Sequence, residues 1–330
     1  MKLYRYWVCE TREIAGTEFR LRDGSNVSPE DAAAKVERRA AILRSSVGRR
    51  LTRRESDEVR AALLDLGGRT PDGEYEAAIC EEILDEPAPR NAVTRNRYGA
   101  EVLNSEDTCF IDVDRVCRPG RWLRLLAPLL ACFAAAFAAV RLSEGAPSAV
   151  MTAGVLAAIV FAAIAIVKAL SGESEPAERA EATLLAKVRA LAKRPEWRGL
   201  AACVYRTAGG FRILVQADRL APGSSRFAAL ARALDADPLY VDLCRKQGCW
   251  RARLTPKPER VGVKRPPAGT RFPRPPEAGA QFADWLASYS EAAAVFAVCR
   301  PVATVGRFRE TDIVRLHDER TGCTSSLPLA

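Results

Sequence analysis

The chain has 330 residues, 48% hydrophobic and 28% charged, with a mean hydropathy of −0.11. That is room for one large or two small folded domains, and it excludes a polytopic membrane protein. The net charge of +9 points to anionic partners, namely nucleic acid, nucleotides or acidic lipid, although an Arg- and Ala-rich composition carries part of the excess by itself. Ten scattered cysteines and a lone histidine, His317, exclude the dense disulfide framework of a small secreted domain and offer no paired ligand set for structural zinc.

Residues 2–9 alternate like a strand and contain no apolar run of the signal-peptide kind. Ser28-Pro29-Glu30-Asp31 supplies an N-cap followed by proline at the first helical position, which predicts a helix over 29–45. A second helix is predicted over 53–66, ended by Gly67-Gly68, and a third helical patch over 76–84. Residues 91–104 read as a basic segment with a turn at Tyr98-Gly99, and 109–113 as a short apolar strand.

Two apolar runs follow, 125–140 (LLAPLLACFAAAFAAV) and 149–168 (AVMTAGVLAAIVFAAIAIVK), and neither contains a charge before Lys168. The second has the length of a membrane span, and Gly145 and Pro147 mark a turn between the two, so they predict an antiparallel transmembrane hairpin. Ala134 and Ala138, and Gly154 and Ala158, offer small faces for close packing. Arg115, Arg118, Arg121 and Arg124 precede the first run, Lys168 closes the second, and only Arg141 lies between. The positive-inside rule then places the protein in a bacterial inner membrane, with both termini cytoplasmic.

Beyond a polar linker at 171–176, an amphipathic helix is predicted over 177–193. Strands at 201–205 and 211–215 flank a turn, and a helix covers 225–235. Residues 251–276 are basic, proline-rich and expected to be extended. A helix at 278–289, a strand at 295–298 and a loop after Asp312 complete the chain. The expected fold class is α+β, a mixed sheet covered by helices. Segments 1–120 and 171–330 form two halves of one cytoplasmic domain that pair in one sheet, and the hairpin at 121–170 is inserted between them.

Three clusters could carry chemistry. Asp112 and Asp114 end an apolar strand and share a face, a pair able to hold Mg²⁺ or Mn²⁺ for phosphoryl transfer. The same pair can equally cap the strand and answer Arg97 or Arg115. Arg206, Gly209, Gly210 and Arg212 surround a turn suited to a phosphate, or form an ordinary hairpin. Arg251, Arg253 and Lys257 open the basic run, which could meet substrate phosphates or anionic lipid. His317 beside Asp318 is a candidate base with no nucleophile motif near it.

Several stretches resemble a group of uncharacterised bacterial proteins: residues 24–28, 94–114, 205–215 and 237–258. That resemblance covers most of the chain outside the apolar runs and implies no activity. A fainter likeness is to archaeo-eukaryotic primase-like polymerases. Their first motif, an apolar strand ending D-x-D, is matched by Asp112 and Asp114. Arg212 stands where their second motif has a histidine, and Asp242 and Asp318 are candidates for their third acid. Two functions follow as expectations. One is an integral inner-membrane protein whose cytoplasmic domain is an interaction module. The other is a divalent-metal-dependent enzyme acting on nucleotides or nucleic acid.

Overall fold

The computed structural model describes residues 1–46, 66–69, 75–114 and 177–330. They divide between a unit made of Met1–Val113 with Leu184–Ala330 and a second made of Asp114–Thr183. The account below concerns the first.

Strands β1 (Tyr6–Ile14) and β2 (Thr17–Ser25) form an antiparallel hairpin that pairs Ile14 with Thr17. Its two-residue loop, Ala15-Gly16, has positive φ at both positions (52° and 75°), the twist that a tight hairpin demands. Helix α1 (Pro29–Ser46) starts where Ser28 Oγ accepts the Asp31 N–H at 3.2 Å. Its Val36, Ala40 and Leu43 recur at helical spacing and pack on Ile14 and Leu21 of the hairpin. Strands β3 (Leu66–Arg69) and β4 (Tyr75–Ala77) pair antiparallel.

The first four-stranded sheet is an antiparallel meander of β5 (Glu82–Ala88), β6 (Asn91–Arg95) and β7 (Glu101–Ser105). The late strand β11 (Trp250–Arg253) adds to β7 and gives the order β11-β7-β6-β5. In the second, order β12-β9-β10-β8, the hairpin of β9 (Ala201–Thr207) and β10 (Gly210–Gln216) is flanked by β12 (Cys299–Val305) and the early strand β8 (Cys109–Asp114). Helices α2 (Ala177–Ala192), α3 (Ser225–Ala233), α4 (Pro238–Gln247), α5 (Gly279–Ala293) and α6 (Asp312–Thr321) complete an α+β fold. The core side chains include Trp250, Phe110, Phe227, Ile213 and Leu214, all under 2% exposed.

Several expectations are corrected. Among the described residues no helix is long and apolar enough to cross a membrane. The reason is visible in α1, the longest at 18 residues, which carries Glu30, Asp31, Lys35, Glu37, Arg38, Arg39 and Arg44. The apolar runs 125–140 and 149–168 lie outside the described residues. The inserted transmembrane hairpin, the integral-membrane function and the inner-membrane placement are therefore replaced by an α+β protein with antiparallel pairing in its sheets.

The predicted helix at 76–84 is instead the end of β4 and the start of β5, and the strand pair β6–β7 occupies the segment read as a turn. The last strand is 299–305 rather than 295–298, and the expected C-terminal loop is helix α6. The halves do pair, in two separate four-stranded sheets rather than one. Most of the predicted helix at 53–66 lies outside the described residues.

Candidate anion-binding cavity

The cavity is built on two buried arginines. Arg212 sits on β10 between β9 and β8 and is 1% exposed. A buried guanidinium is costly unless its charge and its donors are answered. Its Nε donates to Asp112 Oδ1 at 2.9 Å, and its Nη1 donates to the Arg253 carbonyl at 2.8 Å. Burial works against the cation, but Asp112, helped by other neighbouring groups, outweighs it and the net pKa shift is upward.

The same Nη1 lies 3.3 Å from His317 Nε2. Arginine can only donate, so Nε2 must be the accepting nitrogen and the ring proton sits on Nδ1. Nδ1 then donates to Asp318 Oδ1 at 2.8 Å, and Tyr205 Oη donates to Asp318 Oδ2 at 3.1 Å. His317 is fully buried. Burial, reinforced by Arg212, holds its pKa below the usual histidine value against the pull of Asp318. The imidazole is thus a neutral prop for Arg212, and it does not line the cavity.

Arg251 on β11 is the second anchor. It donates to Glu81 Oε2 at 2.5 Å and to Gln247 Oε1 at 2.8 Å, and Thr94 Oγ1 donates to the same Glu81 oxygen at 2.6 Å. Tyr240 on α4 links the two sheets. Its hydroxyl donates to the Phe110 carbonyl of β8 at 2.7 Å and accepts the Arg251 N–H of β11 at 3.4 Å. Burial pushes the Tyr240 pKa well above its usual value, so the hydroxyl remains a donor.

Between these anchors opens a cavity of about 800 Å³. Asp112, Tyr240, Arg251 and Arg253 form its inner wall. Arg20 and Arg22 reach it from β2, Arg97 from the β6–β7 turn and Arg271 from the proline-rich segment, and all four are exposed side chains at its mouth. Arg97 lies over the Tyr98 ring with its Cζ 4.7 Å from the centroid, and Arg265 lies over the same ring at 4.8 Å, which helps to hold that turn. Six arginines face two carboxylates, Glu81 and Asp112, across the lining.

The residues singled out in the sequence separate into two groups. Asp112, Arg251 and Arg253 line the cavity, and Arg212 supports it from behind. Asp114 is exposed at the end of β8 and Lys257 is exposed ahead of a short 3₁₀ turn; neither lines it. Arg206, Gly209 and Gly210 belong to an ordinary hairpin in which Thr207 Oγ1 accepts the Gly210 N–H at 3.1 Å. Asp242 pairs with Lys246 and Arg245 on the surface of α4, while Asp318 is engaged by His317 and Tyr205. Among the described residues no group of three or more His, Cys, Asp or Glu side chains is placed to hold a metal ion.

Arg20 and Arg22 went unread in the sequence. The alternation of Phe19-Arg20-Leu21-Arg22 is the signal that places both arginines on one strand face opposite buried Leu21. No family model, no curated protein and no solved structure matches this chain.

Proposed function

We propose that this protein binds a phosphate-bearing anion in the arginine-lined cavity. The observation that carries the reading is the convergence of Arg20, Arg22, Arg97 and Arg271 on the mouth of one concave site. They come from three separate parts of the chain. Guanidinium groups match phosphate oxygens in fork geometry, and several cations around one concavity raise the local anion concentration. The volume falls within the ~300–1,000 Å³ range of small-ligand sites. Arg251 is buried and paired with Glu81 in the wall, whereas the exposed guanidinium groups at the mouth are placed to meet the ligand.

Titration calorimetry of the full chain with pyrophosphate tests this. Saturable binding is expected, weaker at 200 mM than at 50 mM salt, because the contacts are electrostatic. A double Arg22→Ala/Arg271→Ala variant removes two exposed mouth charges, and should bind about tenfold more weakly or worse. Equal binding by that variant, or no binding by the folded parent, would reject the reading.

A further inference from the structure

We infer that the ligand of this cavity is an organic phosphate, with its phosphoryl end among the mouth arginines and a hydroxyl or amino donor on its organic body set against Asp112. The inference rests on the anion-binding reading and narrows it to a ligand class. Three observations lead to it.

The first is the sign of the inner wall. Asp112 lines a cavity otherwise dominated by arginine, and its side chain keeps 25% exposure. A carboxylate offers about four lone-pair sites, and Arg212 Nε takes one at 2.9 Å. The other lining carboxylate, Glu81, is spent on Arg251 and Thr94 and has 12% of its side chain exposed. Asp112 is therefore the acceptor left for a ligand. A bare polyphosphate reaching this wall would meet like charge, whereas an O–H or N–H donor would find a charged acceptor.

The second is rigidity. Asp112 is held through Arg212, which in turn is braced by the Arg253 carbonyl and by His317. The Asp237 N–H also donates to the Asp112 backbone carbonyl at 3.1 Å. An acceptor fixed at both backbone and side chain discriminates between ligands because it cannot swing away from the wrong one.

The third is size and composition. Pyrophosphate alone leaves most of an 800 Å³ cavity unfilled, and Val102, Leu243, Phe272 and Pro273 give it an apolar wall that only an organic body would cover.

The test compares three probes on the full chain by calorimetry: ADP, pyrophosphate, and an alkyl diphosphate with no donor on its organic part. ADP should bind about tenfold or more tightly than either of the others, the range for a hydrogen bond to a charged acceptor. In Asp112→Asn the amide oxygen can still accept from Arg212. There the preference for ADP should collapse to within a few-fold, while pyrophosphate binds more tightly than it does to the parent. If all three probes bind the parent equally, the donor-at-Asp112 inference is overturned and the anion site stands. If none binds a folded parent, both are overturned. Should Asp112→Asn not fold, the comparison of ADP with the alkyl diphosphate on the parent decides alone.

Discussion

Arg212 and His317 share one buried chain of polar groups, and protons enter it only at a cost. Arg212 Nη1 aims at the Nε2 lone pair, so a proton there would set imidazolium against guanidinium 3.3 Å away. Tyr205 and Phe110 rings pack on the imidazole at centroid distances of 5.3 and 5.5 Å, and the ring is fully buried away from the bulk solvent that would screen the charge. Cys299, with its thiol pKa pushed up to about 11 by burial, adds no negative charge at neutral pH. The folded-state pKa of His317 is therefore depressed, and the sign follows. As pH falls through about 6.5, the unfolded chain takes up a proton that the fold refuses. Stability contributed by the neutral ring is full above that pH and is lost progressively below it. The limiting slope for one group is about 1.4 kcal/mol per pH unit. Urea unfolding at pH 7.5 and 5.5 should show the parent losing stability, and His317→Gln, which removes the only histidine, should lose most of that dependence. An unchanged pH slope in the variant would contradict the assignment. Asp112, Arg212 and His317 were each visible in the sequence as candidate chemistry. Their contact was not, because 100 and 105 residues separate Arg212 from its two partners and no local rule reports such a meeting.

Between elements, the β6–β7 turn depends on a residue without a side chain. Gly99 has φ +89°, and a Cβ there would lie 2.0 Å from Trp285 Cη2 of α5. The indole cannot easily yield: it stacks on Phe282 and Tyr289, and its Nε1 donates to the Lys264 carbonyl at 2.8 Å. Gly99→Ala should therefore destabilise the protein by about 1–3 kcal/mol, combining backbone strain with overpacking. Because Arg97 and Tyr98 ride on this turn, the folded fraction should also bind pyrophosphate more weakly, while Gly199→Ala, also at positive φ (+83°) but with open space around its Cβ, should leave binding alone. Thermal melts and calorimetry on both variants check this. Two capped helices were legible, where Ser28 and Ser224 each accept an N–H that opens the helix, whereas α4, which Asp237 caps in the same way, went unread. Helix α6 was missed although Thr311 caps it, because its buried face is Ile313, Val314, His317 and Thr321, half of it polar. Strand β12 was missed for a related reason: it is an edge strand, largely uncovered, with Pro301 inside it, so its sequence lacks the alternation of a half-buried strand.

At the scale of the whole molecule, each four-stranded sheet is completed by one strand from the other half of the chain. β11 extends the meander β5–β6–β7, and β8 lies beside the hairpin β9–β10. Three ion pairs repeat this cross-half pattern. Arg212 is neutralised by Asp112, Arg251 by Glu81, and Arg274 by Glu82 at 2.8 Å, each cation late in the chain and each anion early. Removing either half thus strips a sheet edge and leaves arginines without counter-charge, a loss of about 3–5 kcal/mol for each truly buried pair. That exceeds what a fragment with a partial core can spare, since whole domains hold only about 5–15 kcal/mol. Residues 1–114 and 177–330, expressed as separate chains, should each lack a cooperative thermal transition and tend to associate through open edges at β7 and β10. Produced together, they should co-purify and recover one transition together with pyrophosphate binding, since Arg22 and Arg97 come from one fragment and Arg271 from the other. A cooperative transition in either fragment alone would mean that the cross-half ion pairs and strand pairings are dispensable. It would also leave an anion site lined from both fragments without the structural basis described here.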